Sequence, residues 1–246
     1  MQTQVSDVRL SRRQILTGTS ALVATTALSG CGSDGEEEPV LRPDDVPMSS
    51  FGAETTAEEV TAGMDLSGKT AVITGCNSGL GYETMRVLAM RGAHVFGIAR
   101  SMEKAKEACD SVEGATTPFV CDLANFDTVA ACSEAIGVTG TPVDMLILNA
   151  GVMALPELQQ VNGIERHFAI NHLGHFVLAN GLMDQVKAAP QGRFVTVGSQ
   201  GYLSAPDDGI QFDHLDGAWG EYVPWDAYGH SKLANGLFSL ELARRL

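Results

Sequence analysis

Thr74-Gly75-Cys76-Asn77-Ser78-Gly79-Leu80-Gly81 is the stretch on which the fold turns. Just before it, 69–74 (Lys-Thr-Ala-Val-Ile-Thr) reads as a short apolar strand. Just after it, 80–90 shows helical apolar spacing, closed by Gly92. A strand that runs through glycines into a helix is the context of a phosphate-binding turn. Missing side chains let the backbone close on a pyrophosphate, and the helix N-terminus offers free N–H groups. Gly75, Gly79 and Gly81 supply the glycines, with Asn77, Ser78 and Leu80 between them. The spacing is TGxxxGxG rather than the commoner GxGxxG. A glycine-rich strand-to-helix connection without a ligand is the plainer alternative.

Working outward, the chain alternates. Strands are expected over 93–99, 117–121, 143–148 and 194–197, and helices over 102–109 and 126–136. One long helix, or two abutting ones, is expected over 164–188. The strand at 143–148 is nearly all apolar, which implies cover on both faces. Strand–helix alternation of this kind predicts an α/β domain, a doubly wound parallel sheet (Rossmann fold) that binds ligand beyond the carboxyl ends of its strands. Thr56-Ala57-Glu58-Glu59 reads as a capping box opening a short helix that Gly63 ends, so the domain is expected over 56–246.

Residues 1–31 are set aside from the fold. Ser11-Arg12-Arg13 resembles a twin-arginine export signal, followed by a mildly apolar stretch too short to span a bilayer. Leu28-Ser29-Gly30-Cys31 resembles a lipobox, with Cys31 the lipidated residue. The expectation is an exported, membrane-anchored lipoprotein; the alternative is a cytoplasmic protein with a fortuitous Arg-Arg. Residues 32–55, acidic and proline-bearing, read as a tether with little to bury.

The whole chain carries a net charge of −14. Without residues 1–30, the 16 Lys and Arg fall to 13 and the 30 Asp and Glu to 29. So acidic a surface argues against nucleic acid as a partner. Cys76, Cys109, Cys121 and Cys132 form no CxxC pair and no metal-ligand spacing, and are expected as buried or half-buried free thiols.

Tyr228 and Lys232, four residues apart in Tyr-Gly-His-Ser-Lys, share one face if the segment is helical. An ammonium beside a phenol favours the phenolate, and such a phenol can pass a proton to or from a substrate oxygen. Joined to the glycine turn, this pair points to an alcohol or carbonyl oxidoreductase. Arg100 ends the second strand, where a carboxylate would bind the ribose of NAD and an arginine accommodates the extra phosphate of NADP. NADP is therefore favoured over NAD, with a solvent-exposed arginine as the ordinary alternative. Asp122 and Leu123 end the third strand, where Asp122 could accept from an adenine amino group. Asn149, Ala150 and Gly151 end the fourth, where small residues let a cofactor close. Asn171 stands in mid-helix, an unfavourable place for an amide, and Ser199 follows the fifth strand. His172 and His175 are helix neighbours without an evident third metal ligand, and read as packing or hydrogen-bonding groups. Tyr202, Leu203, Phe212, Trp219, Tyr222 and Trp225 lie in an irregular segment that either walls an apolar pocket or merely covers the sheet end.

On these motifs, the chain from about Asp65 onward resembles a short-chain dehydrogenase/reductase. Ser-Lys-Leu-Ala-Asn-Gly-Leu-Phe (231–238) and Glu-Leu-Ala-Arg-Arg-Leu (241–246) resemble its retinol-dehydrogenase-like branch. The resemblance implies a catalytic set of Asn171, Ser199, Tyr228 and Lys232. In it Tyr228 exchanges the proton and, with Lys232, contacts the cofactor, Ser199 orients the substrate oxygen, Lys232 tunes the phenol and holds the nicotinamide ribose, and Asn171 positions a water. It also implies a small-molecule alcohol, aldehyde or ketone as substrate, leaning lipophilic, and a homodimer paired through the long helix and the Tyr-bearing helix. Complete members of the family continue with a sixth and seventh strand, so a C-terminal truncation or a fragment is expected here. The rival reading is a nucleotide-binding scaffold or sensor without turnover.

Overall fold

The computed structural model describes residues 49–246. The residues read as an export signal, as a lipobox with Cys31 and as most of a tether lie outside the described residues. Two units divide between Thr56 and Ala57. In the described part of the first, the backbone turns at Gly52, whose N–H donates to Thr55 Oγ1 at 2.9 Å.

The second unit is built on a five-stranded parallel sheet. Its strands are β1 (Thr70–Thr74), β2 (His94–Ala99), β3 (Thr116–Val120), β4 (Met145–Leu148) and, after a two-stranded hairpin of β5 (Gln160–Val161) and β6 (Ile164–Glu165), β7 (Arg193–Thr196). The order is β3-β2-β1-β4-β7, so the direction of winding reverses between β1 and β4. That reversal opens a crevice beyond their carboxyl ends.

The helices are α1 (Ala57–Val60), α2 (Gly79–Met90), α3 (Met102–Asp110), α4 (Phe126–Val138), α5 (His175–Gly181), α6 (Met183–Ala188) and α7 (Pro224–Arg245). Alternate residues of β1 feed two cores. Val72 joins Phe96, Leu146 and Leu148 against Val129 and Ile136 of α4 and Leu178 of α5. Ala71 and Ile73 face the other way, onto Met85 and Leu88 of α2 and Ala105 and Cys109 of α3. Period-two alternation with both faces covered is the signature of a central parallel strand. Cys76, Cys109, Cys121 and Cys132 are buried free thiols.

One expected element is corrected. The helix read from about residue 164 begins at Arg166, directly after β6, and runs through a π-helical segment Phe168–Gly174 into α5. Residues 164 and 165 instead form β6, paired antiparallel with β5. Asn162 and Gly163, at φ of 51° and 78°, make the tight turn between them. An Asn-Gly pair tolerates left-handed backbone at both central positions, which favours a hairpin over continuous helix.

Candidate functional site

The turn after β1 closes because two glycines leave no room for anything else. Gly75 has φ +73°, and its N–H and that of Cys76 both donate to Ile98 O, at 2.9 and 3.1 Å. A Cβ on Gly81 would stand 2.1 Å from Gly75 O and 2.6 Å from Asn149 Nδ2. Ser78 leads into α2 with extended backbone and no side-chain cap. The first N–H groups of α2 therefore have no capping side chain, which is the geometry of an anion site.

Beyond this turn lies a cleft of about 450 Å³. All the residues read as cofactor-binding line it except Gly79, Tyr228 and Lys232. The glycine turn forms one wall, Arg100 and Asp122 to Ala124 a second, and Asn149 to Val152 a third. Arg100 is exposed and makes no hydrogen bond or ion pair among the described residues. Asp122 Oδ1 accepts from Ala124 N at 3.0 Å, shaping the loop after β3. Arg166, not singled out from the sequence, also lines the cleft. It donates to Gln159 through Nη1, while its Nε is buried with no hydrogen-bond partner among the described residues.

A buried network fixes the two strand ends that flank the cleft. Thr74 Oγ1 accepts from the backbone N–H groups of Asn149 and Ala150, both at 3.0 Å, and donates to His175 Nε2 at 2.8 Å. His175 Nδ1 donates to Asn171 O at 3.0 Å, so the ring is neutral with its proton on Nδ1. Burial pushes the imidazole down to about 4. His172 contacts Asn235 Oδ1 through Nδ1 at 3.2 Å, and burial lowers it too. Both histidines are thus hydrogen-bonding groups of the interior.

The four residues read as catalytic gather where β4 and β7 end and α7 begins. Tyr228 and Lys232 share a face of α7, with Lys232 Nζ 5.7 Å from the phenol ring centroid. Lys232 Nζ donates to Val197 O at 2.9 Å, and its burial lowers the ammonium's pKa. Ser199 opens a 3-10 turn, Gln200–Ser204, and its Oγ accepts from Gly201 N at 3.0 Å. Gly201 is where Ser199 and Tyr228 meet: a Cβ there would lie 2.6 Å from Tyr228 Cε1 and 3.2 Å from Ser199 Oγ. The Tyr228 hydroxyl has no hydrogen-bond partner among the described residues.

Asn171 is fully buried and its side chain is a clamp. Oδ1 accepts from Val152 N at 2.8 Å; Nδ2 donates to Val152 O at 2.9 Å and to Ser231 Oγ at 3.0 Å. Its backbone carbonyl accepts from His175 Nδ1 and Asn235 Nδ2. The segment before α7 leaves Leu203 and Phe212 exposed, and Trp225, in the first turn of α7 rather than in that segment, is exposed too, its ring edge-on to Tyr228 at 5.9 Å. His230, on the opposite face of α7, stacks on Phe168 at 4.8 Å, and burial pushes it down to about 4.

The arrangement has known counterparts. A family model described as short chain dehydrogenase matches residues 69–206. The sequence is 38% identical over 191 residues to retinol dehydrogenase 12 of Mus musculus, covering 76% of this chain and 59% of that protein. Among solved structures, an uncharacterized protein from Mycobacterium Paratuberculosis aligns with TM-score 0.65 at 38% identity, over 74% of this chain and 64% of the other. The Pseudomonas aeruginosa RhlG/NADP active-site complex aligns with TM-score 0.58 at 26% identity, over 74% and 68%. The chain spans 50% to 65% of the length of the curated relatives it matches.

Proposed function

The chain belongs to the short chain dehydrogenase family of oxidoreductases, and we propose on that footing that it transfers a hydride between NADP and a lipophilic alcohol or carbonyl compound, with Tyr228 as the general acid–base. The observation that carries this reading is the meeting of Ser199 and Tyr228 on Gly201, beside a cleft whose glycine turn has no space for side chains. The cleft suits a dinucleotide. Its glycines admit a pyrophosphate, the start of α2 offers N–H donors, and Arg100 supplies an exposed cation in a strongly acidic protein. Arg100 favours NADP over NAD. When bound, the nicotinamide would supply or accept the hydride.

The chain's own residues handle position and protons. Ser199 Oγ–H orients the substrate oxygen and stabilises the charge that develops on it. Tyr228 passes a proton to or from that oxygen. Lys232, held against Val197 O, keeps its amino group 5.7 Å from the centre of the phenol ring. Asn171 contributes by fixing Val152 and, through Ser231, the helix that bears Tyr228. Exposed Leu203, Phe212 and Trp225 supply the apolar surface for a lipophilic substrate.

The test is NADPH oxidation with a panel of long-chain and aromatic aldehydes. Turnover is expected, and Tyr228→Phe should lower kcat by about 10² to 10⁴-fold while NADPH still binds. NADPH binding with no reduction of any carbonyl would replace the enzyme by a nucleotide-binding scaffold. The export reading is separate, and mass spectrometry decides it: lipid on Cys31 supports a membrane anchor, and an intact leader on the purified protein removes it.

A further inference from the structure

Glu165 and His167 form a buried pair that the proposed reaction has not yet used. Both side chains are fully buried. Leu155 N–H donates to His167 Nε2 at 3.2 Å, so Nε2 must be an acceptor and the ring proton sits on Nδ1. That proton goes to Glu165 Oε1 at 2.8 Å, while Oε2 accepts from Phe168 N at 3.0 Å. The carboxylate thereby also sits at the start of the helical segment that begins at Arg166, where negative charge is favoured. The other polar group of Leu155 is taken as well: its carbonyl accepts from Tyr222 Oη at 3.2 Å.

The segment after β4 is therefore pinned at two points. Asn171 binds both backbone groups of Val152, and His167 with Tyr222 binds both of Leu155. Between them Ala154 is held at φ +48°, a backbone state an alanine rarely adopts unless its surroundings enforce it. The His167 ring lies edge-on to Tyr228, with centroids 6.1 Å apart. The pinned segment thus runs from the cleft wall at Val152 to the side of the phenol.

We propose that Glu165 and His167 are positioning residues, holding Val152–Leu155 as a fixed wall that sets where a substrate carbonyl sits relative to Tyr228. This rests on the oxidoreductase reading of the same site. Glu165 selects the ring tautomer, and only that tautomer presents a lone pair to Leu155 N–H. His167→Phe removes the acceptor, whereas His167→Gln keeps one.

The experiment pairs hydrogen exchange at the Leu155 amide with steady-state kinetics and NADPH titration. His167→Phe is expected to speed exchange at Leu155 at least about tenfold. It should also lower kcat for the aldehyde about 10- to 100-fold, a misplacement effect, with the NADPH Kd changed less than about twofold. His167→Gln should restore most of kcat. Glu165→Gln should behave like His167→Phe, because an amide permits the other tautomer. Should His167→Phe fail to fold, Tyr222→Phe carries the test, with the same direction in kcat. The idea is overturned if these variants keep the wild-type kcat, or if kcat falls only in step with NADPH binding. Absence of turnover in the wild type would instead sink the oxidoreductase reading itself, while exchange at Leu155 would still report whether His167 holds the segment.

Discussion

The hydroxyl of Thr74 donates to Nε2 of His175 at 2.8 Å, joining the end of β1 to the start of α5 across 101 residues of sequence. The same oxygen accepts two N–H groups at the end of β4, so one side chain ties together both strands that flank the crevice. Thr74→Val keeps the shape and removes the hydroxyl, leaving two part-buried N–H donors and one buried histidine nitrogen without this partner. At about 1–3 kcal/mol per orphaned group, and with imperfect additivity, a loss of about 2–4 kcal/mol is expected in urea unfolding. A change below about 0.5 kcal/mol would show that the network is not what aligns these strands.

Stability should fall as the solution is acidified from neutrality. His175 and His230 are each held near 4 in the folded chain by burial, against about 6.5 when unfolded. Between those values the unfolded chain binds more protons, so the folded state is favoured above pH 6.5 and loses ground as pH falls toward 4. Each histidine accounts for about 2 kcal/mol of that loss by pH 5. Glu165 and Asp144, whose carboxyls are held below the ordinary range, lose their contribution only at lower pH. Urea midpoints at pH 7 and 5 measure the slope; His172, also lowered by burial, adds to it, so His175→Gln should flatten it by at most about half. Equal stability at the two pH values would contradict the burial of neutral rings.

Arg100→Ala tests cofactor choice without touching the core, since the side chain is exposed. NADPH affinity should fall about tenfold or more, as expected for loss of a charge-assisted phosphate contact, while NADH affinity stays within about twofold. Calorimetric titration of both nucleotides decides. Equal weakening of the two would mean that Arg100 does not face the distinguishing phosphate.

The parts legible in the sequence were those whose cause is local. Glycines between an apolar strand and a helix announce the turn at 75–81, because Gly81 has no room for a Cβ and Gly75 and Gly79 take positive φ. The i, i+4 spacing of Tyr228 and Lys232 places them on one face by helix geometry alone. Asn162-Gly163 carried an equally local hairpin signal, but the apolar spacing downstream suggested helix from about residue 164, where the chain instead pairs as β6 before the helix begins at Arg166. What could not be read is what depends on distant partners. His175 looked like half of a histidine pair, and its role emerges only once Thr74 and Asn171 O are brought to its two nitrogens. Glu165, Arg166 and His167 carry no motif, and only the packed structure shows two of them buried as a pair and the third lining the cleft.

The central claim, that Tyr228 exchanges the proton of the reaction, is tested most directly by single-turnover stopped flow. Protein preloaded with NADPH is mixed with the aldehyde that gives the best turnover, and loss of nicotinamide absorbance is followed for wild type and Tyr228→Phe. The account predicts that the phenylalanine variant binds NADPH as tightly as wild type but transfers hydride about 10² to 10⁴-fold more slowly. Equal transfer rates in the two proteins would contradict it.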